Sequence, residues 1–219
     1  MKKFTILFFI ILLGDLVARA MQPSWQTAEY IFKPLLMISL GIYFINSTLL
    51  RDVRQSQFIL AAIIFSLLGD VFLMFEGYFI QGLASFLMAH IFYILAFRTE
   101  ADRFFSKKEL LVPTLGVLIY GMILLYIVLP NVDSALKLPI TVYALTILTM
   151  LLIVLYRHKM VPDESFRWVI WGALLFVISD SMIAISKFVS SFPLSGVLIM
   201  LTYGIGQYLI VEGYLKNKT

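Results

Sequence analysis

Cysteine is missing from the 219-residue sequence and histidine occurs only twice, as His90 and His158. Without thiols the chain has no disulfide, thiolate nucleophile or thiolate metal site, which excludes a disulfide-stapled secreted domain. His90 lies in an apolar run and His158 in a polar connection, so we expect no histidine metal site.

Charged residues are also scarce in the sequence. Asp, Glu, Lys and Arg make up 14% of the residues and hydrophobic residues 61%, with a mean hydropathy of +0.96. Soluble domains are about half apolar and a quarter charged, so this composition excludes a soluble globular enzyme and a disordered chain. The net charge of +4 does not indicate nucleic-acid binding, because the basic residues lie in short connections between apolar runs.

Eight apolar runs fill most of the sequence, and their typical length of about 20 residues suffices to cross a bilayer core. Backbone polar groups in lipid must pair internally, and continuously apolar runs favour helices over the alternating strands of a barrel. The runs are Phe4–Ala18, Tyr30–Thr48, Phe58–Phe75, Phe79–Phe97, Leu110–Leu129, Leu138–Tyr156, Phe166–Ile185 and Leu194–Tyr214. We therefore predict an all-α integral membrane protein, with residues 1–219 forming a single transmembrane domain of eight helices.

Lysine and arginine are distributed unevenly between alternate connections, 13 on one side and 4 on the other. Because positive connections stay in the cytoplasm, both termini are predicted to be cytoplasmic in the cell (inner) membrane. The richer side holds Lys2, Lys3, Arg51, Arg54, Arg98, Arg103, Lys107, Lys108, Arg157, Lys159, Arg167, Lys216 and Lys218, and the other side holds Arg19, Lys33, Lys137 and Lys187.

The first run also resembles a signal peptide, with Lys2-Lys3 before the apolar stretch and Ala18-Arg19-Ala20 as a small-residue cleavage site. Asp15 and Arg19 fit such a segment poorly, which favours a retained span.

The two halves of the sequence echo each other. Ser66–Asp70 in the third run parallels Phe176–Asp180 in the seventh, 110 residues later. Four spans per half would give a parallel 4+4 internal repeat. Because the match is short and rich in apolar residues, chance similarity is the alternative.

Two aspartates lie well inside predicted spans. A charge at such a depth costs at least about 2.5–3.5 kcal/mol, so intramembrane acids usually face the bundle interior and serve a function. Asp70 and Asp180 are expected at comparable depth in the outer half of the bilayer, with Lys33 on the same side. The structural alternative is that each aspartate only holds neighbouring helices together through hydrogen bonds. Polar residues that cost less free energy to bury usually fill that role.

Other polar residues are candidates to surround the aspartates. His90 shares a helix face with Gly82 and Phe86, Tyr203 shares one with Gln207, and Tyr143 lies in the sixth run. Lys33 either snorkels to the headgroups or neutralises an aspartate or lipid phosphate. The residues expected to lie nearer the boundaries, solvated or interfacial, are Asp15, Glu29, Glu76 and Glu212.

Several strings resemble the YhhN family of eight-span membrane proteins, and the resemblance covers essentially the whole chain. They are Leu67–Met74, Ala89–Tyr93 and Ile178–Asp180, with Lys33–Leu36 and Tyr203–Gln207 also fitting. The Gly69-Asp70 pair is the most specific piece.

The family includes lysoplasmalogenases, so the resemblance implies hydrolysis of the vinyl ether bond of a lysoplasmalogen. The products would be a fatty aldehyde and a glycerophospho-base, with a lysophospholipid as substrate and no cofactor. Protonation of the double bond and attack of water need an acid and an anion, and two carboxylates run the related chemistry of glycosidases. Asp70 and Asp180 are the predicted catalytic pair, and the predicted substrate-binding residues are Lys33, His90, Tyr143, Tyr203 and Gln207.

Two other classes of membrane protein could use the same intramembrane aspartates. A transporter of a small solute or lipid could run a proton relay through the intramembrane acids. A structural or sensing protein would need them for stability alone.

Overall fold

The computed structural model describes residues 2–21, 24–48, 53–100 and 110–217, and within these ranges the chain is helical with no β-strand. The helices are α1 (Lys2–Ala20), α2 (Gln26–Thr48), α3 (Val53–Leu73), α4 (Phe79–Arg98), α5 (Leu111–Val128), α6 (Ser134–Leu155), α7 (Asp163–Phe188) and α8 (Ser195–Lys216), with a 3-10 turn at Leu129–Asn131. The all-α prediction is confirmed. Among the predicted cytoplasmic cations, Arg51, Arg103, Lys107, Lys108 and Lys218 lie outside the described residues.

Within the described ranges, seven helices, α2 to α8, are long and apolar enough to cross a membrane. The exception is α1, whose 19 residues include Lys2, Lys3, Asp15 and Arg19. Even so, α1 packs against α2 and α8, and its Phe8 and Leu12 side chains are buried in the main core. The eighth span, the cytoplasmic termini and the internal repeat stay predictions.

Two helix pairs pack closely, and glycines make this possible. A Cβ on Gly172 of α7 would lie 2.7 Å from the carbonyl oxygen of Gly206 on α8. A Cβ on Gly69 of α3 would lie 2.6 Å from the ring of Phe86 on α4. Small residues of this kind let membrane helices approach closely. The α3–α4 and α7–α8 pairs formed in this way carry most of the candidate residues.

The turn between α3 and α4 contains Gly77, whose φ of +85° is a conformation that glycine adopts without strain. It makes α3 and α4 an antiparallel hairpin. Helix α5 lies at the edge of the bundle, where it packs on α6 and α7.

Candidate active site

Asp70 lies on α3 with 2% of its surface exposed. The Tyr203 hydroxyl, on α8, donates a hydrogen bond of 2.6 Å to Oδ2. The Lys33 ammonium, on α2, lies 3.4 Å from Oδ1. Of the two fates predicted for Lys33, the structure places it against an aspartate. Asp70 therefore has a cation and a hydroxyl donor as its partners.

Asp180 lies on α7 with different partners. The Tyr143 hydroxyl, on α6, donates a hydrogen bond to Oδ2, and Nε2 of His90, on α4, lies 3.8 Å from the same oxygen. His90 is fully buried, and neither ring nitrogen makes a well-formed hydrogen bond with a described residue. Asp180 is thus surrounded by an aromatic hydroxyl and an imidazole, without a lysine or arginine at ion-pair distance among the described residues.

Aromatic rings connect the two carboxyl environments. The Phe176 ring lies 5.4 Å from that of Tyr203 and 4.8 Å from that of His90, between centroids. The Phe86 ring contacts Tyr203 edge-on at 5.8 Å. The Phe86 and Phe176 rings give this region a low dielectric constant, which strengthens the interaction of any charge in the site with its partners.

Gln207 takes a different position from the other predicted residues. Its Oε1 accepts a hydrogen bond of 2.6 Å from the Tyr93 hydroxyl, and its Nε2 donates one of 2.9 Å to Ser66 Oγ. These bonds join α3, α4 and α8 beside the site, so Gln207 supports the helices that carry Asp70, His90 and Tyr203. The structure assigns it no contact with either carboxyl among the described residues.

A cavity between α4, α5, α6 and α7 reaches the Asp180 carboxyl. Among the described residues of its lining, the polar side chains are Tyr143, Asp180 and Ser181, and the other side chains are apolar. Such a lining suits a hydrocarbon chain.

Sequence reasoning missed a charged cluster at the end of α1. The Arg19 guanidinium lies 2.6 Å from Asp15 and 2.7 Å from Glu29. Asp15 is fully buried, so the expectation that it is solvated is wrong. The spacing of Asp15 and Arg19, four residues apart on a helix, could have indicated the pair. The charge on Arg19 lets Asp15 stay buried.

Glu212, which we expected at the interface, is 2% exposed and accepts a hydrogen bond of 2.7 Å from the Tyr43 hydroxyl. Within the described ranges, no three His, Asp or Glu side chains are grouped so as to hold a metal ion.

The geometry offers two carboxyl groups of unlike character. An anion is stabilised beside Lys33, whereas an uncharged acid fits the environment of Tyr143 and His90, because an unpaired charge is expensive to bury. A proton donor and an anion are the groups that general acid–base catalysis requires.

Comparisons with known proteins agree with the resemblance. The model of the YhhN family matches residues 28–214. The lysoplasmalogenase TMEM86B of Mus musculus is 30% identical over 90% of this chain and 78% of its own length. The lysoplasmalogenase TMEM86A of Bos taurus is 29% identical over 99% of this chain and 87% of its own.

A bacterial relative, the lysoplasmalogenase of Mycobacterium tuberculosis, is 24% identical over 89% of this chain and 75% of its own length. No solved structure matches the chain. The family match over most of the sequence confirms the resemblance, and the chain belongs to the YhhN family.

Proposed function

We propose that this protein is a lysoplasmalogenase, a membrane hydrolase that cleaves the vinyl ether bond of a lysoplasmalogen. The observation that carries the proposal is the pair of carboxyl groups, one beside Lys33 and one beside uncharged groups at an apolar cavity. The names of relatives that match most of the chain support it.

The reaction begins with the transfer of a proton to a carbon atom of the double bond. An acid protonates the chain-side carbon of the double bond, and the ether oxygen stabilises the resulting oxocarbenium ion. Water adds to the adjacent carbon and loses a proton to a carboxylate. The hemiacetal then loses its hydroxyl proton as its carbon–oxygen bond to glycerol breaks, and the glycerol oxygen takes up a proton. The net change is the addition of one water, giving a fatty aldehyde and a glycerophospho-base.

The surroundings of the two carboxyls suggest which plays which part. Asp70, 3.4 Å from the Lys33 ammonium, is assigned as the anion that stabilises the cation and takes the proton from water. Asp180, bonded to Tyr143 and lining the cavity, is assigned as the acid that protonates the double bond. When the hemiacetal collapses, Asp70 returns its proton to the glycerol oxygen and Asp180 regains one from the hydroxyl.

Four further residues are assigned supporting roles. Tyr203 and Tyr143 fix the carboxyls through their hydroxyls, and His90, 3.8 Å from Asp180, is assigned to bind water in the site. Lys33 also lies on the side where we expect the phosphate of the headgroup. With both termini in the cytoplasm, as the basic residues predict, the reaction takes place in the outer half of the bilayer. No cofactor is required.

The direct test is to incubate the purified protein in detergent with a lysoplasmalogen in D₂O, and with a matched lysolipid whose ether chain is saturated. We expect aldehyde from the vinyl ether, carrying one deuterium at the carbon next to the carbonyl, and no cleavage of the saturated ether. The aldehyde is reduced at once to the alcohol so that the label does not exchange.

Cleavage of the saturated ether, or aldehyde without deuterium, would contradict protonation at carbon. An unchanged vinyl ether, together with proton-coupled uptake in sealed vesicles, would replace the enzyme by the transporter.

A further inference from the structure

The cavity between α4 and α7 has polar side chains in its lining, which a packing defect in a helix bundle would not require. Its lining is apolar except for Tyr143, Asp180 and Ser181, and the Tyr143 hydroxyl donates a hydrogen bond to the Asp180 carboxyl. Leu83 on α4, Leu124 on α5 and Ala184 on α7 form part of the apolar lining. The lining comes from five helices, α3 to α7, so the width of the cavity depends on side chains that can be changed one at a time.

A second cavity lies next to it, between α5, α6 and α7. It too is apolar, with Gly116, Leu151 and Leu174 in its lining. Among the described residues, the lining of this second cavity contains no carboxyl group. The Asp180 carboxyl therefore distinguishes the first cavity from the second.

We propose that the Asp180 cavity holds the hydrocarbon chain of a single-chain ether lipid and that its width sets which chain lengths react. The proposal rests on the proposed function, because it takes the reacting bond to lie at Asp180. A chain in this cavity brings its first carbons to the carboxyl, and the chain-side carbon of a vinyl ether is the atom that takes the proton. The cavity thus binds the tail and at the same time selects the carbon that Asp180 protonates.

The lining also indicates why a tail, and not a headgroup, occupies this space. Three polar side chains line the cavity, so a phosphate away from them would lose its hydration without gaining partners. Among the described residues, the cation at ion-pair distance from Asp70 is Lys33, on the α2 side. Headgroup and tail are therefore separated, with the two carboxyls between them.

The test compares kcat/KM for lysoplasmalogens with dodecenyl and octadecenyl chains in variants that narrow or widen the cavity. Ala184→Leu adds bulk to the wall, and we expect kcat/KM for the octadecenyl lipid to fall by roughly tenfold or more relative to the dodecenyl lipid. Leu83→Ala removes bulk, and we expect the preference to shift in the opposite direction, toward the longer chain.

Gly116→Leu is the matched control, since it fills the neighbouring cavity. A Cβ on Gly116 has nothing within 4 Å, so the change should be accommodated, and the ratio for the two chains should stay at the wild-type value. The assignment of the Asp180 cavity as the tail site would be overturned if Gly116→Leu shifted the kcat/KM ratio as far as Ala184→Leu does. It would also be overturned if Ala184→Leu and Leu83→Ala both left the ratio unchanged.

A binding experiment separates this inference from the proposed function. Saturated-ether lysolipids of the same two chain lengths are titrated into wild type, Ala184→Leu and Gly116→Leu by calorimetry. If no vinyl ether is cleaved but Ala184→Leu selectively weakens binding of the longer chain, the cavity is a tail site and the proposed reaction is wrong. If vinyl ethers are cleaved but neither binding nor kcat/KM depends on Ala184, the proposed reaction holds and the tail lies elsewhere.

Discussion

At the residue scale, the two tyrosines that donate to the carboxyls distinguish the site from an ordinary pair of buried acids. Tyr203 donates to Asp70 and Tyr143 to Asp180, and each tyrosine comes from a different helix than its partner. A hydrogen bond to a charged group contributes about 1.5–3 kcal/mol. In the proposed mechanism, the Tyr203 hydroxyl therefore holds the Asp70 carboxylate in position to stabilise the developing cation.

Removing the hydroxyl that contacts Asp70 tests this role. We expect Tyr203→Phe to lower kcat by about 10–100-fold, the factor that corresponds to the loss of one such bond. Tyr120→Phe serves as the control, since its hydroxyl lies 2.7 Å from Ser181 Oγ and no carboxyl takes part in that bond. Steady-state rates of aldehyde release measure both. Equal losses in the two variants would mean that the Asp70 bond has no special role.

Lys33 is the residue whose charge keeps Asp70 ionised in this account. We expect Lys33→Met to lower kcat/KM by about 100-fold or more, because an anion without its partner is expensive to bury and Asp70 would take up a proton. Lys33→Arg keeps the charge and should retain more activity than Lys33→Met. The matched control is Lys216→Met, which removes a lysine paired with the exposed Glu164. Full activity in Lys33→Met would contradict an ionised Asp70.

The aspartate pair was predictable from the sequence, because an acid inside an apolar run is conspicuous. The partners were predictable only as a set: Lys33, His90, Tyr143 and Tyr203 were expected near the aspartates, but not which would contact which. Pairing depends on helix rotation, and several polar residues on each helix share a face. The position of Gln207 beside the site was not predictable for the same reason. Tyr203 and Gln207 lie one turn apart on one face of α8, so the sequence does not tell which of them contacts a carboxyl.

At the scale of the helices, close contact between α7 and α8 positions Asp180 relative to Tyr203. Gly172 and Gly206 make this possible, since a Cβ on either would lie within about 3 Å of the other's carbonyl oxygen. Both clashes are with backbone, which cannot move aside without separating the helices. The distance between the two carboxyls therefore depends on residues that touch neither.

The same substitution at two glycines should change stability in opposite directions. We expect Gly172→Ala to destabilise the protein by about 1–3 kcal/mol through overpacking. Gly116→Ala should be neutral or stabilising by up to about 1 kcal/mol, because alanine is the better helix former and nothing lies within 4 Å of its Cβ. Thermal unfolding in detergent gives both values. An unchanged Tm in Gly172→Ala would contradict the close packing.

Helix positions followed from the apolar runs, and all eight predicted runs coincide with a helix. The observed helices extend further into polar sequence at several ends; α7 begins at Asp163 rather than Phe166, for example. Hydropathy finds the part of a helix that lipid contacts, whereas hydrogen bonding lets the helix continue beyond it. The helix contacts were not predictable, because glycine occurs at twelve positions and spacing alone does not identify those that meet.

At the scale of the whole molecule, a buried polar junction joins four elements at the end of the bundle. The Arg157 guanidinium, after α6, lies 2.7 Å from Glu100, after α4, and is fully buried. Gln55 of α3 and Asn217, after α8, also donate to Glu100. The junction joins α3, α4, α6 and α8, which carry Asp70, His90, Tyr143 and Tyr203 of the candidate site.

Breaking that junction should destabilise the fold. We expect Arg157→Met to cost about 3–5 kcal/mol, since it leaves a buried carboxylate without its main partner. Glu164→Gln is the matched control, because it breaks an ion pair whose carboxylate is 58% exposed, and its effect should be below about 1 kcal/mol. Urea or thermal unfolding in detergent compares them. Similar losses in both variants would mean that burial gives the Arg157 pair no added importance.

Composition and hydropathy predicted a helical membrane protein, but the cavity at Asp180 was beyond their reach. The volume of the cavity depends on the distance of α5 from α4 and α7, and side-chain packing determines that distance. The junction at Arg157 was missed for a related reason. Arg157 was counted as a cation in a connection, and its burial depends on Glu100, 57 residues away in sequence.

The central claim is that Asp70 and Asp180 together hydrolyse a vinyl ether. The most direct measurement is aldehyde release from a lysoplasmalogen by wild type, Asp70→Asn and Asp180→Asn, with thermal unfolding to verify that each is folded. We predict release by wild type and a loss of more than tenfold in each folded variant, since both carboxyls take part in the reaction. Activity within tenfold of wild type in either variant would remove that carboxyl from the mechanism and contradict the account.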